Sequence, residues 1–141
     1  MLFRSAKLRQ AKGQEPDVPL PIGCASIQTV HGVAVLEGAA LDLAAAVWPG
    51  ALTMLVRAQP SLSWSLGASD AGLAVRVPAH EVATGVLSGI GPCVMTGAQA
   101  AGAAPVTSVD QARAALGEAV AIYVDGGQLP GAVSKIGRAH V

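Results

Sequence analysis

Arg76 is the most demanding chemical group in this sequence. It sits inside the apolar run Leu73 to Val77, closed by Pro78, and a guanidinium held among aliphatic side chains requires a polar partner. The stretch from Gly97 to Pro105 is a second candidate, since Gly97, Ala98 and Gly102 are small enough for backbone N–H groups to approach a phosphate. A third is the turn Asp125-Gly126-Gly127 behind the apolar run Val120 to Val124, because open α/β sheets bind ligands at the carboxyl ends of their strands. The first two would handle anions. Metal chemistry is not expected: Cys24 and Cys93 lie far apart, and His31, His80 and His140 show no ligand spacing. Two buried thiols in a reducing compartment account for the cysteines.

The elements that must position these groups can be read from periodicity and punctuation. Ala6 to Gln14, carrying Lys7, Arg9 and Lys12, reads as a short helix stopped by Gly13. Pro16, Pro19 and Pro21 force an extended path, with a strand over Leu20 to Cys24. Helices follow at Ser26 to His31 and Gly38 to Val47, the second placing Leu41, Ala44, Ala45 and Trp48 on one face. Pro49-Gly50 is a turn. Beyond it come a strand from Ala51 to Arg57, a Ser/Gly-rich loop or irregular hairpin from Gln59 to Gly72, a strand over Leu73 to Val77, a helix from His80 to Leu87 and a strand over Pro92 to Thr96. Ser108 and Gln111 have capping-box spacing for a helix running to about Leu116, and Val120 to Val124 reads as a further strand.

The chain has 141 residues, the size of a single domain with one core. Its hydrophobic fraction is 52% against 3% aromatic, so alanine, valine and leucine carry the apolar character, as in parallel strands covered by alanine-rich helices. Nine basic and nine acidic residues cancel, which excludes a general pull towards nucleic acid or an acidic membrane. Any anion site must be local. Asp42 and Pro49 interrupt the longest apolar stretch before it reaches the roughly 20 residues of a membrane span, and a cytoplasmic location is expected.

Five segments together resemble the YrdC family of threonylcarbamoyl-AMP synthases. They are Ala11-Lys12-Gly13-Gln14 with Pro19-Leu20, Trp48-Pro49-Gly50-Ala51-Leu52-Thr53, Val75-Arg76-Val77-Pro78, Pro92-Cys93-Val94-Met95-Thr96-Gly97-Ala98-Gln99-Ala100-Ala101-Gly102 and Tyr123-Val124-Asp125-Gly126-Gly127. The first resembles the family's A-K-G-R-P followed by N-P-L, and the fourth its P-L-V-S-T-S-A-N-L-S-G. The resemblance implies an α/β fold, a twisted mixed or parallel sheet flanked by helices in one truncated domain. It also implies an activity that joins ATP, L-threonine and bicarbonate into threonylcarbamoyl-AMP and pyrophosphate, with Mg2+, for the threonylcarbamoyladenosine modification of tRNA. TRNA-modification proteins would be its partners, and double-stranded RNA binding belongs to the same expectation.

By that resemblance Lys12 is the catalytic cation facing phosphates or carbonate. Gln14, Thr96, Gly97, Gln99 and Ser134 join Lys12 around ATP, and Arg76 and Met95 hold threonine. Such a site works by cations that stabilise the departing pyrophosphate and by positioning of three reactants. Six positions depart from the family pattern: Gln14 replaces an arginine, Val18 an asparagine, Gly23 a frequent histidine, Gly72 a threonine, Gly97 a serine and Gln99 an asparagine. Replacing one arginine–phosphate contact by a neutral amide forfeits about 1.5 to 3 kcal/mol, so a weakened or diverged activity is expected. Two alternatives stand beside the synthase: a carbamoyl-transfer domain of the hydrogenase-maturation type, pointed to by Val94-Met95-Thr96, and a non-catalytic nucleotide- or RNA-binding module.

Both ends read differently from the rest. Residues 1–5 and 136–141 resemble translated sequencing-adapter DNA, with Lys135 as a junction codon, so residues 6–134 are expected to form the partial domain and 1–5 and 135–141 to be artefactual. The family's P-T-D-T-x-Y-G-L segment is missing, and Gly131-Ala132-Val133-Ser134 breaks off where the threonine of its S-T-V motif should follow.

Overall fold

The computed structural model describes residues 2–64, 72–131 and 135–138. Helix α1 (Leu2–Lys12) leads into strand β1 (Ile22–Gly23), helix α2 (Ile27–Val30), strand β2 (Ala34–Val35), helix α3 (Gly38–Val47) and strand β3 (Leu52–Ala58). Strand β4 (Leu73–Arg76), helix α4 (Glu81–Ile90), strand β5 (Cys93–Val94), helix α5 (Val109–Leu116) and strand β6 (Lys135–Arg138) complete it. Gly13, at φ +64, supplies the left-handed residue that ends α1. The strands form a mixed sheet in the order β2-β3-β4-β1-β5, with β6 also on β3. The β1–β4 and β3–β6 pairs are parallel and the others antiparallel. Residues 2–5 continue α1 and 135–138 join the sheet, although the sequence assigns both to artefactual ends; main-chain pairing is tolerant of sequence.

Alternation decides which face of the sheet is dry. Leu20, Ile22 and Cys24 are buried with Leu73, Val75 and Val77, and with Met54 and Val56 of β3, each set spaced by two as one strand face requires. Ala40, Ala44, Val30 and Trp48 from the α2–α3 side close this core. The Trp48 indole donates to Leu52 O at 2.7 Å, which ties the end of α3 to the start of β3. No helix among the described residues is long and apolar enough to cross a membrane.

Three expectations are corrected. On α3 the buried residues are Ala40 and Ala44, while Leu41 and Ala45 face outward. Trp48 lies beyond the helix at φ −103, ψ 139, so carrying the helical period through it rotates the inferred face by one residue. Val120 to Val124 is not a strand: Ile122 and Val124 are 77% and 57% exposed, because strand-forming side chains need a neighbouring strand and none pairs here among the described residues. At α5, Ser108 accepts from Gln111 N as a cap should, but the Gln111 carboxamide accepts from Thr107 N, not from Ser108. A reciprocal capping box occurs instead at Ser26 and Thr29, where serine and threonine bond each other's backbone N–H. Much of the loop from Gln59 to Gly72, residues 65–71, lies outside the described residues.

Candidate functional site

Ile22 and Val75 face the core, so their strand neighbours Gly23 and Arg76 lie on the opposite face of the sheet. The parallel register pairs Gly23 with Arg76, and the antiparallel register pairs Gly23 with Cys93. Arg76 is half-buried, and its Nε donates to Gly50 O at 3.0 Å. The polar partner demanded by its apolar strand is therefore the backbone of the Pro49-Gly50 turn. Burial pushes the guanidinium below its usual pKa. Among the described residues the ion pair found is Arg57–Glu37 at 3.8 Å, and no carboxylate engages Arg76. Its terminal N–H groups retain the fork geometry that suits a carboxylate.

Lys12, the last residue of α1, is 8% exposed. Its Nζ donates to Thr96 Oγ1 and to Gly97 O, each at 2.8 Å, and its own carbonyl accepts from Ala101 N at 2.9 Å. Side chain and main chain of one residue thus clamp both ends of the 96–101 loop. Burial lowers the pKa of the amine, the direction expected for a cation removed from water. An ammonium has three N–H donors and the clamp uses two, so one remains for an anion.

The rest of the predicted set is only partly brought to this junction. Met95 N donates to Pro21 O at 2.9 Å, which lays the residue beside β1, and its Sδ occupies the place where a Cβ on Gly23 would sit. The Gln99 carboxamide folds back over Gly97, its Cδ 2.9 Å from the position of a Cβ there. Gln14 follows two residues after Lys12, and its Oε1 is buried without a hydrogen-bond partner, an acceptor left over for a donor. Ser134 lies outside the described residues. The Asp125-Gly126-Gly127 turn is closed by Asp125 Oδ1 accepting from Gly127 N at 2.9 Å, and Gly126 packs against the His80 imidazole rather than against Lys12 or Arg76.

An open cavity of about 550 Å³ lies between the Pro49 turn and the first turns of α4, lined by Pro49, Pro78, His80, Glu81, Thr84 and Ser88. It adjoins the turn that holds Arg76 but includes neither Lys12 nor Thr96. Among the described residues no three His, Cys, Asp or Glu side chains gather as a metal site. Both thiols are held up by burial, Cys24 to about 11, so neither is a nucleophile at neutral pH.

Two features escaped sequence reasoning. The Gly50 carbonyl as the partner of Arg76 was hidden because a backbone acceptor leaves no mark on residue type. The filling of the Gly23 position by Met95 had a signal in the pairing of a side-chain-free residue with a long flexible one, but proximity across 72 residues is not visible in a single chain. Gly72 proves to be more than a lost threonine: at φ +104, with Val56 O 2.7 Å from a would-be Cβ, no side chain fits there without strain.

Comparison with known proteins gives consistent results. The Sua5/YciO/YrdC family model, described as telomere recombination, matches residues 4–138. A candidate threonylcarbamoyl-AMP synthase of Mycobacterium tuberculosis strain H37Rv is 37% identical over 123 residues, 86% of this chain and 57% of that protein. The chain therefore spans a little over half the length of the curated relative it matches. P. abyssi Sua5 complexed with L-threonine superposes with a TM-score of 0.87 at 26% identity, over 95% of this chain and 40% of that one. E. coli YciO shares the fold, with a TM-score of 0.84 at 15% identity over 95% and 66% of the two chains.

Proposed function

The chain belongs to the Sua5/YciO/YrdC family, and we propose that it works as a threonylcarbamoyl-AMP synthase, combining ATP, L-threonine and bicarbonate into threonylcarbamoyl-AMP, pyrophosphate and water. The observations that support the reading are the clamp of Lys12 on the 96–101 loop and the register that sets Arg76 beside Gly23 of β1, whose other neighbour β5 leads into that loop, in a chain 37% identical to a candidate synthase. The hydrogenase-maturation and non-catalytic alternatives find no comparable support. Zero net charge offers no broad phosphate-binding face, so small ligands come ahead of double-stranded RNA.

In this reading Arg76 takes the threonine carboxylate through the N–H groups that Gly50 leaves unused. Its charge and its fork fix the amino group in one place relative to the strand ends. Lys12 directs its remaining N–H at the phosphates. With the backbone N–H groups of the small-residue loop, it offsets the charge that builds as pyrophosphate departs. In the same reading Gln14 and Gln99 contact ATP as neutral amides. Mg2+ would enter with ATP, held chiefly by its phosphates, and would supply charge neutralisation. The product then passes to tRNA-modification partners in the cytoplasm.

The test is pyrophosphate release by the purified chain, measured with ATP and Mg2+ in the presence and absence of L-threonine and bicarbonate. Release dependent on both co-substrates is expected, and release indistinguishable from the blank refutes the synthase assignment.

A further inference from the structure

We propose that residues 107–131 form a hinged flap on the sheet, and that the flap closes by laying Ile122 and Val124 on the exposed apolar side of α4. α5 buries only Ala112, and among the described residues it packs broadly on no strand and no other α-helix. Its bonds run instead to the chain that follows it. The Tyr123 hydroxyl donates to Gly117 O at 2.6 Å, and the Arg113 guanidinium stands over the same ring, 5.4 Å from its centroid. At the other end of the helix Gln128 Nε2 donates to Thr107 Oγ1 and Leu129 N to Thr107 O, each at 2.8 Å. The run 123–129 is thus strapped along α5 from one end to the other, and helix and strap make one body.

The stem of this body passes Gly102, which has φ +78 and open space where a side chain would be, the freedom a hinge residue needs. The strap meets α4 through Gly126, which admits the His80 imidazole to within 2.7 Å of where a Cβ would stand. This contact is the pivot, and uncovered apolar side chains lie on both sides of it. Tyr123 is bonded to the α5 side, so its neighbours Ile122 and Val124 turn outward and stand exposed. On α4 only Leu87 is buried, while Val82 and Val86 stand exposed about one turn apart. Four residues of extended chain reach about 13 Å from Gly126 to Ile122, and Val86 lies about 9 Å along the helix from His80, so the two sets are within reach of each other. Burying them together favours the closed position. His80 also lines the cavity beside the Pro49 turn, so closure moves one wall of that cavity.

The experiment is NMR of the full chain, isotope-labelled at backbone amides and at isoleucine and valine methyl groups. Residual dipolar couplings of residues 109–116 and 123–129 are expected to be reduced by one common factor relative to those of β3 and β4, while backbone order parameters within α5 hold at the rigid value of about 0.85. Ile122→Asp, at an exposed position, should shift the methyl resonances of Val82 and Val86, leave those of core Val75 in place, and reduce the flap couplings further by removing the closed state. Gly126→Val should reduce them in the same way by forcing the strap off the imidazole, with Gly126→Val/His80→Ala restoring the wild-type couplings; Ile122→Asp stands by itself if Gly126→Val does not fold. Equal coupling amplitudes in flap and strands, order parameters below about 0.6 throughout α5, or Val82 and Val86 resonances unmoved by Ile122→Asp each overturns the flap.

Discussion

Lys12 Nζ donates to Thr96 Oγ1 at 2.8 Å across 84 residues of sequence, and this contact joins the first helix to the loop that follows the last strand of the central sheet order. The same ammonium reaches Gly97 O, so the residue proposed to meet phosphate also holds the loop proposed to receive it.

Lys12→Met should lower stability by about 1 to 3 kcal/mol, the cost of losing charge-assisted hydrogen bonds partly offset by relief of a buried cation. Thr96→Val should cost less, since Gly97 O remains as acceptor. Urea denaturation of the two single variants and the double variant would show a non-additive interaction energy; strict additivity would mean that the contact contributes nothing.

Arg76→Met should reduce affinity for L-threonine by about 10- to 100-fold, corresponding to loss of one charged hydrogen-bonded pair. Arg76→Lys should not recover it, because lysine has neither the fork nor the Nε donor that Gly50 O positions. Equal affinity of the lysine variant and wild type, measured by equilibrium dialysis, would argue against bidentate recognition.

Gly72→Ala should destabilise by more than about 1 kcal/mol, since the backbone there has φ +104 and Val56 O stands 2.7 Å from the new Cβ. Gly89→Ala, a helical position with nothing within 4 Å, should instead be neutral or stabilising by a few tenths to about 1 kcal/mol. Thermal melts should show a lowered midpoint for Gly72→Ala and an unchanged or raised one for Gly89→Ala.

Cys24 gives a pH dependence with a definite sign. Burial raises its thiol from an ordinary 9.0 to about 11, so between those values the folded chain retains a proton that the unfolded chain has lost. Stability from this group is complete below about pH 9 and declines as pH rises through 11, by at most about 3 kcal/mol. Cys24→Ala should flatten that part of the stability–pH profile; a profile as steep as that of wild type would assign the loss to other groups.

Much of the fold was legible. The helix over Gly38–Val47, the stop at Gly13 and the strands about Met54 and Val75 follow from local punctuation and period, which act within a few residues. The strand expected over Val120 to Val124 failed for the complementary reason: Ile122 and Val124 have the side chains of a strand, but a strand exists only with a partner. The inferred face of α3 failed where Trp48, outside the helix, was given helical phase.

Residue type and short spacing were enough for the α/β class, the need of Arg76 for a polar partner and the family resemblance carried by Trp48-Pro49-Gly50 and its companions. The bonds from Lys12 to Thr96 and Gly97, the contact of Arg76 with Gly50 O and the filling of the Gly23 position by Met95 emerge from the folded chain alone. Those relationships join residues brought together by strand order and register, and register is set by the packing of the whole sheet on its core, which no local stretch of sequence contains.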